Sequence, residues 1–384
     1  MNKFSKKFSF LFLSFMLIFI SCSKISISED NLELKEKSCY IFYDAGSSGT
    51  RLYLYEKREK DWIVHKGKKS SALSDSILKN KKIDTIVSEL ASSLDTLNYD
   101  WSKKCQNLSV RVYATGGMRI AEQKYPQKSI KLWKKIRQAL IEKIGSSADI
   151  VTRTITGFEE GLYAWLALRE EKKDNNFGLV EMGGVSSQIV FPCSECNLSS
   201  FVKKININSI SLQLYSYSFL GLGQDEAIDS LGFPKSCVYG IGEKNKSWSE
   251  QNCSSNIHFN NKQSILDPLN YIDGIKSRYV FLSPYQKNIT HWYLTGAFKY
   301  ITEKDVENCC FNKGKCYQKD TSCFRAIYLK KYLSTLDIPL ASKKEDVSWT
   351  KGAIICECEK CLPPQSKFSC RWRKKGCLNE NSYL

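Results

Sequence analysis

The chain has 384 residues, 42% of them hydrophobic and 12% aromatic, which excludes wholesale disorder and leaves room for two domains with their own cores. Fifty-seven Lys and Arg against 40 Asp and Glu give a formal charge of +17, the mark of a lysine-rich solvated surface or of a field that draws in polyanions or anionic membranes. No arginine-rich tract or nucleic-acid motif accompanies that charge, so no nucleic-acid partner is expected.

Lys3, Lys6 and Lys7 precede an apolar run from Phe8 to Ile20, and Ser21-Cys22-Ser23 follows. A charged start, a short apolar stretch and small residues read as a signal peptide over 1–23, too short to span a bilayer. The expectation is a secreted protein, extracellular or periplasmic. FISC at 19–22 also resembles a lipoprotein signal that would place a lipid on Cys22, a less favoured reading because Phe is unusual at its first position. Sixteen cysteines agree with export, and in an oxidising compartment they should mostly form disulfides whose pairing the sequence does not reveal. Cys356-x-Cys358-x-x-Cys361 has the spacing of half a zinc site, but none of the three histidines lies beside it.

Residues 24–37 form a polar lead-in. Ile41–Tyr55 (IFYDAGSSGTRLYLY) then reads as strand, tight turn, strand, within a hairpin from about Cys39 to Glu56, and Trp62–Val64 is a candidate third strand. Apolar residues at 83, 86, 87, 90, 94 and 97 give Ile77–Leu97 a helical spacing. Leu108–Ala114 alternates as a strand and enters Thr115-Gly116-Gly117-Met118-Arg119. Ser129–Ile144 reads as a helix and Asp149–Ile155 as a strand. Thr156–Arg169 is a loop entering a helix whose first turn carries Glu159-Glu160, two acids that would complement the helix dipole.

Gly178–Phe191 (GLVEMGGVSSQIVF) repeats the shape of the first hairpin, with Glu181 where the first has Asp44. Either turn alone is also what an ordinary hairpin needs. Two such turns suggest more. Successive N–H groups, with the hydroxyls of Ser47, Ser48, Thr50, Ser186 and Ser187, can make anion-binding nests, and an acid beside each suits a hydrated cation between phosphates. Two similar domains facing one cleft follow. Tyr215–Ala227 is an aromatic strand leading to a helix, 236–262 reads as loop, and Tyr293–Ile301 mixes small and aromatic residues. A cysteine-dense insertion at 304–323, a helix at Phe324–Leu336, a short apolar element at Val347–Ile355 and a basic Cys-rich tail over 356–384 complete the chain.

The series DAGSSGTR, YATGGMR, ITGFEEGLYAW, VEMGGVSSQI, YSFLGLGQDEA and SWTKGAI, in this order from residue 41 to about 355, resembles the apyrase or nucleoside triphosphate diphosphohydrolase family. The resemblance implies an α/β fold of two RNase H-like domains, of the actin, sugar-kinase and heat-shock-chaperone superfamily, with the active site in the cleft between them. It implies an N-terminal domain over 38–155, with about 345–384 as a candidate return segment, and a C-terminal domain over 156–345. The implied activity is removal of terminal phosphates from nucleoside tri- and diphosphates with Ca²⁺ or Mg²⁺.

By the same resemblance, Asp44 and Glu181 hold the cation through water. Ser47, Ser48, Gly49 and Thr50 form the first phosphate loop; Gly184, Val185 and Ser186 belong to the second. Thr115 lies near the reacting phosphate, while Arg119 of the same motif is expected to be mainly structural. Glu160 matches the general base, with its neighbour Glu159 as the alternative, and Ser186 and Gln188 orient the attacking water. Tyr300 stacks on the base beside Ala297. The chain departs from the family at Gly49, where many animal members have His, at Gln224, where several relatives place an arginine beside the base, and at Glu181, which is usually Asp. Base preference and metal choice therefore stay open. The alternatives are a nucleoside diphosphatase, a polyphosphate phosphatase of the same superfamily, and a non-hydrolysing nucleotide-binding protein whose basic tail contacts an anionic surface.

Overall fold

A computed structural model describes residues 38–58, 61–199, 201–258 and 288–363. The signal-like segment and the tail beyond Pro363 lie outside these residues. Two sheets organise the chain. The first is built from β1 (Ser38–Gly46), β2 (Gly49–Arg58), β3 (Asp61–Lys66), β4 (Asn107–Ala114) and β5 (Asp149–Thr154), in the order β3-β2-β1-β4-β5. The second contains β6 (Gly178–Met182), β7 (Ser186–Pro192), β8 (Val202–Ile207), β9 (Ile210–Leu220), β10 (Trp292–Gly296) and β11 (Lys343–Lys344), in the order β11-β10-β6-β7-β9-β8.

The two sheets share one plan. In each, a central strand (β1 or β6) pairs antiparallel with the strand that follows its Gly-rich turn and parallel with a later strand (β4 or β10). Each sheet continues antiparallel on the hairpin side, to β3 or β9, and parallel on the other, to β5 or β11. These are two RNase H-like halves, the second carrying β8 as an extra edge strand. The β8–β9 hairpin is not marked in the sequence reading; its turn residues Asn208 and Ser209 both take positive φ, 49° and 62°, as a type I′ turn requires.

Three main cores organise the described residues, one within each half and one between them. One face of the first sheet packs against helices Ile83–Ser92, Gly116–Lys124 and Pro126–Ile144. One face of the second packs against helices Glu303–Cys310 and Ser322–Thr335. Between the sheets lie helices Gly157–Lys172 and Trp349–Glu359, in a core with Phe42, Tyr55 and Tyr113 from the first sheet and Leu179, Val190 and Leu214 from the second. The segment expected to be one helix over Ile77–Leu97 is broken instead: Asn80, at φ 55°, separates Asp75–Leu78 from Ile83–Ser92.

Helix Gly157–Lys172 is buried from Gly157 through Arg169, as its middle stretch Gly161–Leu168, apolar on every side, requires. Its partner, Trp349–Glu359, extends three residues past the start of the stretch read as tail. It returns to the first sheet, where Arg111 Nε donates to Glu357 (2.8 Å), Tyr113 donates to the same carboxylate, and Thr350 meets the Tyr55 hydroxyl.

Among the described residues six disulfides are present: Cys39–Cys105, Cys193–Cys196, Cys237–Cys253, Cys309–Cys316, Cys310–Cys323 and Cys356–Cys361. The last takes two of the three cysteines of the zinc-like spacing, and Cys358 is the free, exposed cysteine among the described residues. No helix among them is long and apolar enough to cross a membrane.

The two central helices cross where Gly352 meets the backbone of Tyr163 and Ala167; a Cβ at Gly352 would overlap the Tyr163 carbonyl. In a free helix Gly→Ala gains about 1 kcal/mol. Here overlap with backbone should win, so Gly352→Ala is expected to lose roughly 1–3 kcal/mol on urea denaturation. A variant more stable than the parent would show that the helices do not touch here.

Candidate active site

The central strands of the two halves bring their acids together. Asp44, near the end of β1, is 7% exposed; Glu160, in the first turn of helix Gly157–Lys172, is 6% exposed. Glu181 lies in β6, and its Oε2 is buried with no hydrogen-bond partner among the described residues. Burial, followed by repulsion from Glu160 and Asp44, pushes the Glu181 carboxyl up to about 8. Burial also raises Asp44, against the opposing pull of Arg51, 3.3 Å away, and of the Trp349 indole.

Glu160 is the acid at the centre of a hydrogen-bond network. Arg119 donates to it at 2.6 Å, and to Ser186 Oγ (3.0 Å) and Ser218 Oγ (3.2 Å). Gln188 Nε2 reaches Glu160 (3.2 Å), Ser186 (2.9 Å) and Ser218 (2.9 Å), while its Oε1 is buried without a partner among the described residues. Arg119, expected to be mainly structural, is thus the hub of the polar cluster. Glu159 does something else. It closes a capping box with Thr156 and is held by Arg153 at 2.8 and 3.1 Å, so Arg153 holds its carboxyl below the usual range despite burial. Of the acidic pair, Glu160 alone joins Ser186 and Gln188.

Strand register lines up further groups. Residues directly opposite in neighbouring strands share a face, and Ser218, Gln188, Glu181 and Thr295 are opposite one another across β9, β7, β6 and β10. Thr295 is 1% exposed and its hydroxyl has no partner among the described residues. Ser218 and Thr295 were not anticipated. The signal for Ser218 was available: Ser216 and Ser218 fill alternate buried positions of β9 where apolar residues would be usual. They are small because the helix start lies against them, Gly157 over Ser218 and Gly161 over Ser216. Glycine facing serine lets the first helical turn, and Glu160 with it, sink into the sheet.

The two Gly/Ser turns also face each other. A Cβ at Gly184 would come 2.7 Å from Ser47 Oγ, one at Gly116 2.9 Å from Ser186 Oγ, and one at Gly117 3.3 Å from Ser47 Cα. Ser47, Thr115 and Gly184–Ser186 therefore border one space. Thr115 caps the helix at Gly116 and donates its N–H to Ala45 of β1 (3.2 Å). Gly49 sits at φ +139°, a backbone setting that favours glycine. The second loop is braced by Gln224 and Asp225, whose N–H groups donate to Gly183 and Gly184 (2.9 and 2.8 Å), and Asp225 pairs with Arg325 at 2.9 Å. Tyr300 is 72% exposed in the 3₁₀ turn Ala297–Tyr300, next to half-buried Ala297, with the Lys299 ammonium 5.5 Å over its ring.

The donor set suits a hydrated cation. Among the described residues no three His, Cys, Asp or Glu side chains stand close enough to ligate an ion directly. Yet Glu181 Oε2 is orphaned in the field of two other acids, a deficit that a divalent cation reached through water would relieve.

A model of the GDA1/CD39 (nucleoside phosphatase) family matches residues 31–326. The chain is 26% identical over 234 residues to probable apyrase 5 of Arabidopsis thaliana, covering 56% of this chain and 46% of that protein. It is 27% identical over 203 residues to ectonucleoside triphosphate diphosphohydrolase 6 of Homo sapiens, covering 48% and 40%. The chain spans about half the length of the curated relatives it matches. A solved structure of nucleoside triphosphate hydrolases from Neospora caninum aligns at TM-score 0.49 and 15% identity over 83% of this chain and 93% of that one.

The Glu181 carboxyl gives a pH test. The folded state keeps its proton up to about 8, whereas the unfolded chain releases it near 4.3. Between those values the folded state binds more protons, so this group's contribution to stability falls as pH rises. In EDTA, urea denaturation should show wild type losing more stability than Glu181→Gln from pH 5 to pH 8. Equal slopes would remove Glu181 from the group of interacting acids.

Proposed function

This chain belongs to the GDA1/CD39 (nucleoside phosphatase) family, and we propose that it is an exported, divalent-metal-dependent apyrase that hydrolyses the terminal phosphates of nucleoside tri- and diphosphates. The observation that carries the reading is the joining of Glu160 to Ser186 and Gln188, with Asp44 and Glu181 within reach of the same charge field. A pure binding site has no use for a buried carboxylate beside an unpaired amide oxygen. A water-activating site needs both.

In this reading the backbone and hydroxyls of Ser47–Thr50 and Gly184–Ser186 grip successive phosphates from opposite sides. Asp44 and Glu181 would hold a Ca²⁺ or Mg²⁺ through water, and the bound cation supplies charge neutralisation along the phosphate chain. Gln188 Oε1 accepts one hydrogen of the attacking water, Ser186 fixes its position, and Glu160 takes the other proton as the water closes in line on the terminal phosphorus. Arg119 keeps the Glu160 and Ser186 side chains in register. The P–O bond to the bridging oxygen breaks, and the shortened nucleotide leaves with inorganic phosphate. Tyr300 would stack on the base, with Ala297 beside it and Gln224 on the adjoining loop. The division at about residue 155, with Trp349–Glu359 returning to the first half, would let the two loops close on the substrate. The basic tail is proposed as a contact for anionic surfaces.

Phosphate release from ATP, ADP, GDP and UDP should require Ca²⁺ or Mg²⁺ and stop in EDTA. Glu160→Ala should lower kcat by about 10²–10⁴ while a non-hydrolysable nucleotide still binds. Release from diphosphates alone would make the protein a nucleoside diphosphatase. Binding without release from folded wild type would leave a nucleotide-binding protein.

A further inference from the structure

We infer that Lys69 is a phosphate-binding residue of this site, its ammonium seated over the first phosphate loop. The inference rests on the nucleotide-hydrolase reading above. Position 69 carries no motif, and nothing in the sequence marks it. Its backbone is nevertheless fixed against the loop. Gly67 N–H donates to the Leu52 carbonyl (2.9 Å), Thr50 and Ser70 exchange both backbone hydrogen bonds (2.9 Å each), and the Thr50 hydroxyl donates to the Ser71 carbonyl (2.9 Å). Thr50 ends the first Gly/Ser turn, so the segment carrying Lys69 is tied to the rim of the loop.

The side chain turns inward over that turn. A Cβ at Gly49 would overlap Lys69 Cε and come 3.1 Å from Nζ, as well as 2.9 Å from the Ser70 carbonyl. The lysine stem thus occupies the space a side chain at position 49 would fill, and its ammonium hangs beside the Gly49 backbone. Its charge is felt at Asp44, whose ionised form it favours.

Lys69 is also uncompensated. Nearby Lys79 and Lys81 both pair with Asp75, at 2.9 and 3.2 Å, whereas Lys69 has no carboxylate within ion-pair distance among the described residues. An exposed ammonium beside an anion-binding turn, without a counterion of its own, meets a phosphate at little desolvation cost. Lysine suits this place as a compact point charge on a flexible stem, able to follow a phosphate that moves during turnover.

The test compares wild type, Lys69→Ala and Lys69→Arg. It measures steady-state phosphate release from ATP and titration with β,γ-imido-ATP in the presence of Mg²⁺. Lys69→Ala should raise both KM and the imido-ATP Kd about tenfold, with kcat changed by less than about threefold. Lys69→Arg should stay within about threefold of wild type, and the Lys-to-Ala difference should shrink at high salt. A structural role would instead lower the melting temperature and would not be rescued by arginine. If wild type turns over but Lys69→Ala keeps the wild-type KM and Kd, the Lys69 inference falls and the hydrolase reading stands. If wild type binds without releasing phosphate, the hydrolase reading falls, and the imido-ATP titration alone decides Lys69 by whether alanine weakens it. Absence of binding in folded wild type overturns both.

Discussion

Three carboxylates brought into one another's field are the constraint on which this structure turns. Asp44 comes from the first half, Glu181 from the second, and Glu160 from the helix that joins them. Like charges at low exposure repel strongly, and a buried ion is tolerated only when paired or hydrogen-bonded. The compensation is unequal. Glu160 has Arg119 at 2.6 Å, and Asp44 has the more exposed Arg51 at 3.3 Å. Glu181 has repulsion from two acids and an oxygen with no donor. A fold selected for stability alone would replace that glutamate with an apolar side chain. The uncompensated acid makes sense as the protein's share of an interaction completed by a cation.

The acids converge because side chains are missing around them. Gly157 and Gly161 lie on Ser218 and Ser216, so the helix start drops against β9 and points Glu160 at Gln188 and Ser186. Gly184 approaches Ser47, and Gly116 approaches Ser186, which lets turns from opposite sheets border one space. Gly352 lets Trp349–Glu359 reach the backbone of Gly157–Lys172, and that helix carries Trp349 to Asp44. Each close approach is backbone or small side chain against the same. Positioning here is achieved by subtraction.

This explains which parts were legible in the sequence. The two hairpins were, because strand, Gly/Ser turn and strand are local patterns, and their matching shapes pointed to two similar halves. Asp44, Glu181 and the loop residues lie inside those patterns, and the structure brings them together. Adjacent Glu159 and Glu160 could not be separated by spacing alone. Their difference depends on Arg153, which claims Glu159, and on Arg119, which claims Glu160. Ser218 and Thr295 are defined by register across four strands, a relation that no single segment contains. The return of about 345–384 to the first half was an expectation of the resemblance alone; the short apolar run at Val347–Ile355 carried no local sign of it, because the partners of its helix, Tyr55, Arg111 and Tyr113, lie more than two hundred residues earlier.

The charge of +17 and the acidic centre are complementary rather than opposed. Asp44 and Glu160 lie deep, at 7% and 6% exposure, whereas the Arg51 side chain is 43% exposed and Lys69 faces solvent over the first loop. Acids form the floor and basic side chains the rim. A polyanion arriving from water would meet the rim first, where exposed charges act with little desolvation cost, while Asp44 and, once it loses its proton, Glu181 would leave the floor too negative to take a terminal phosphate unaided. In the proposed reading a divalent cation, held through water by Asp44 and Glu181, would supply the positive charge that resolves that conflict. Nucleotide and cation would therefore bind cooperatively, each supplying the charge the other needs to enter. On that proposal the same floor would disfavour a lone phosphate chain, and the site would take its substrate as the metal complex.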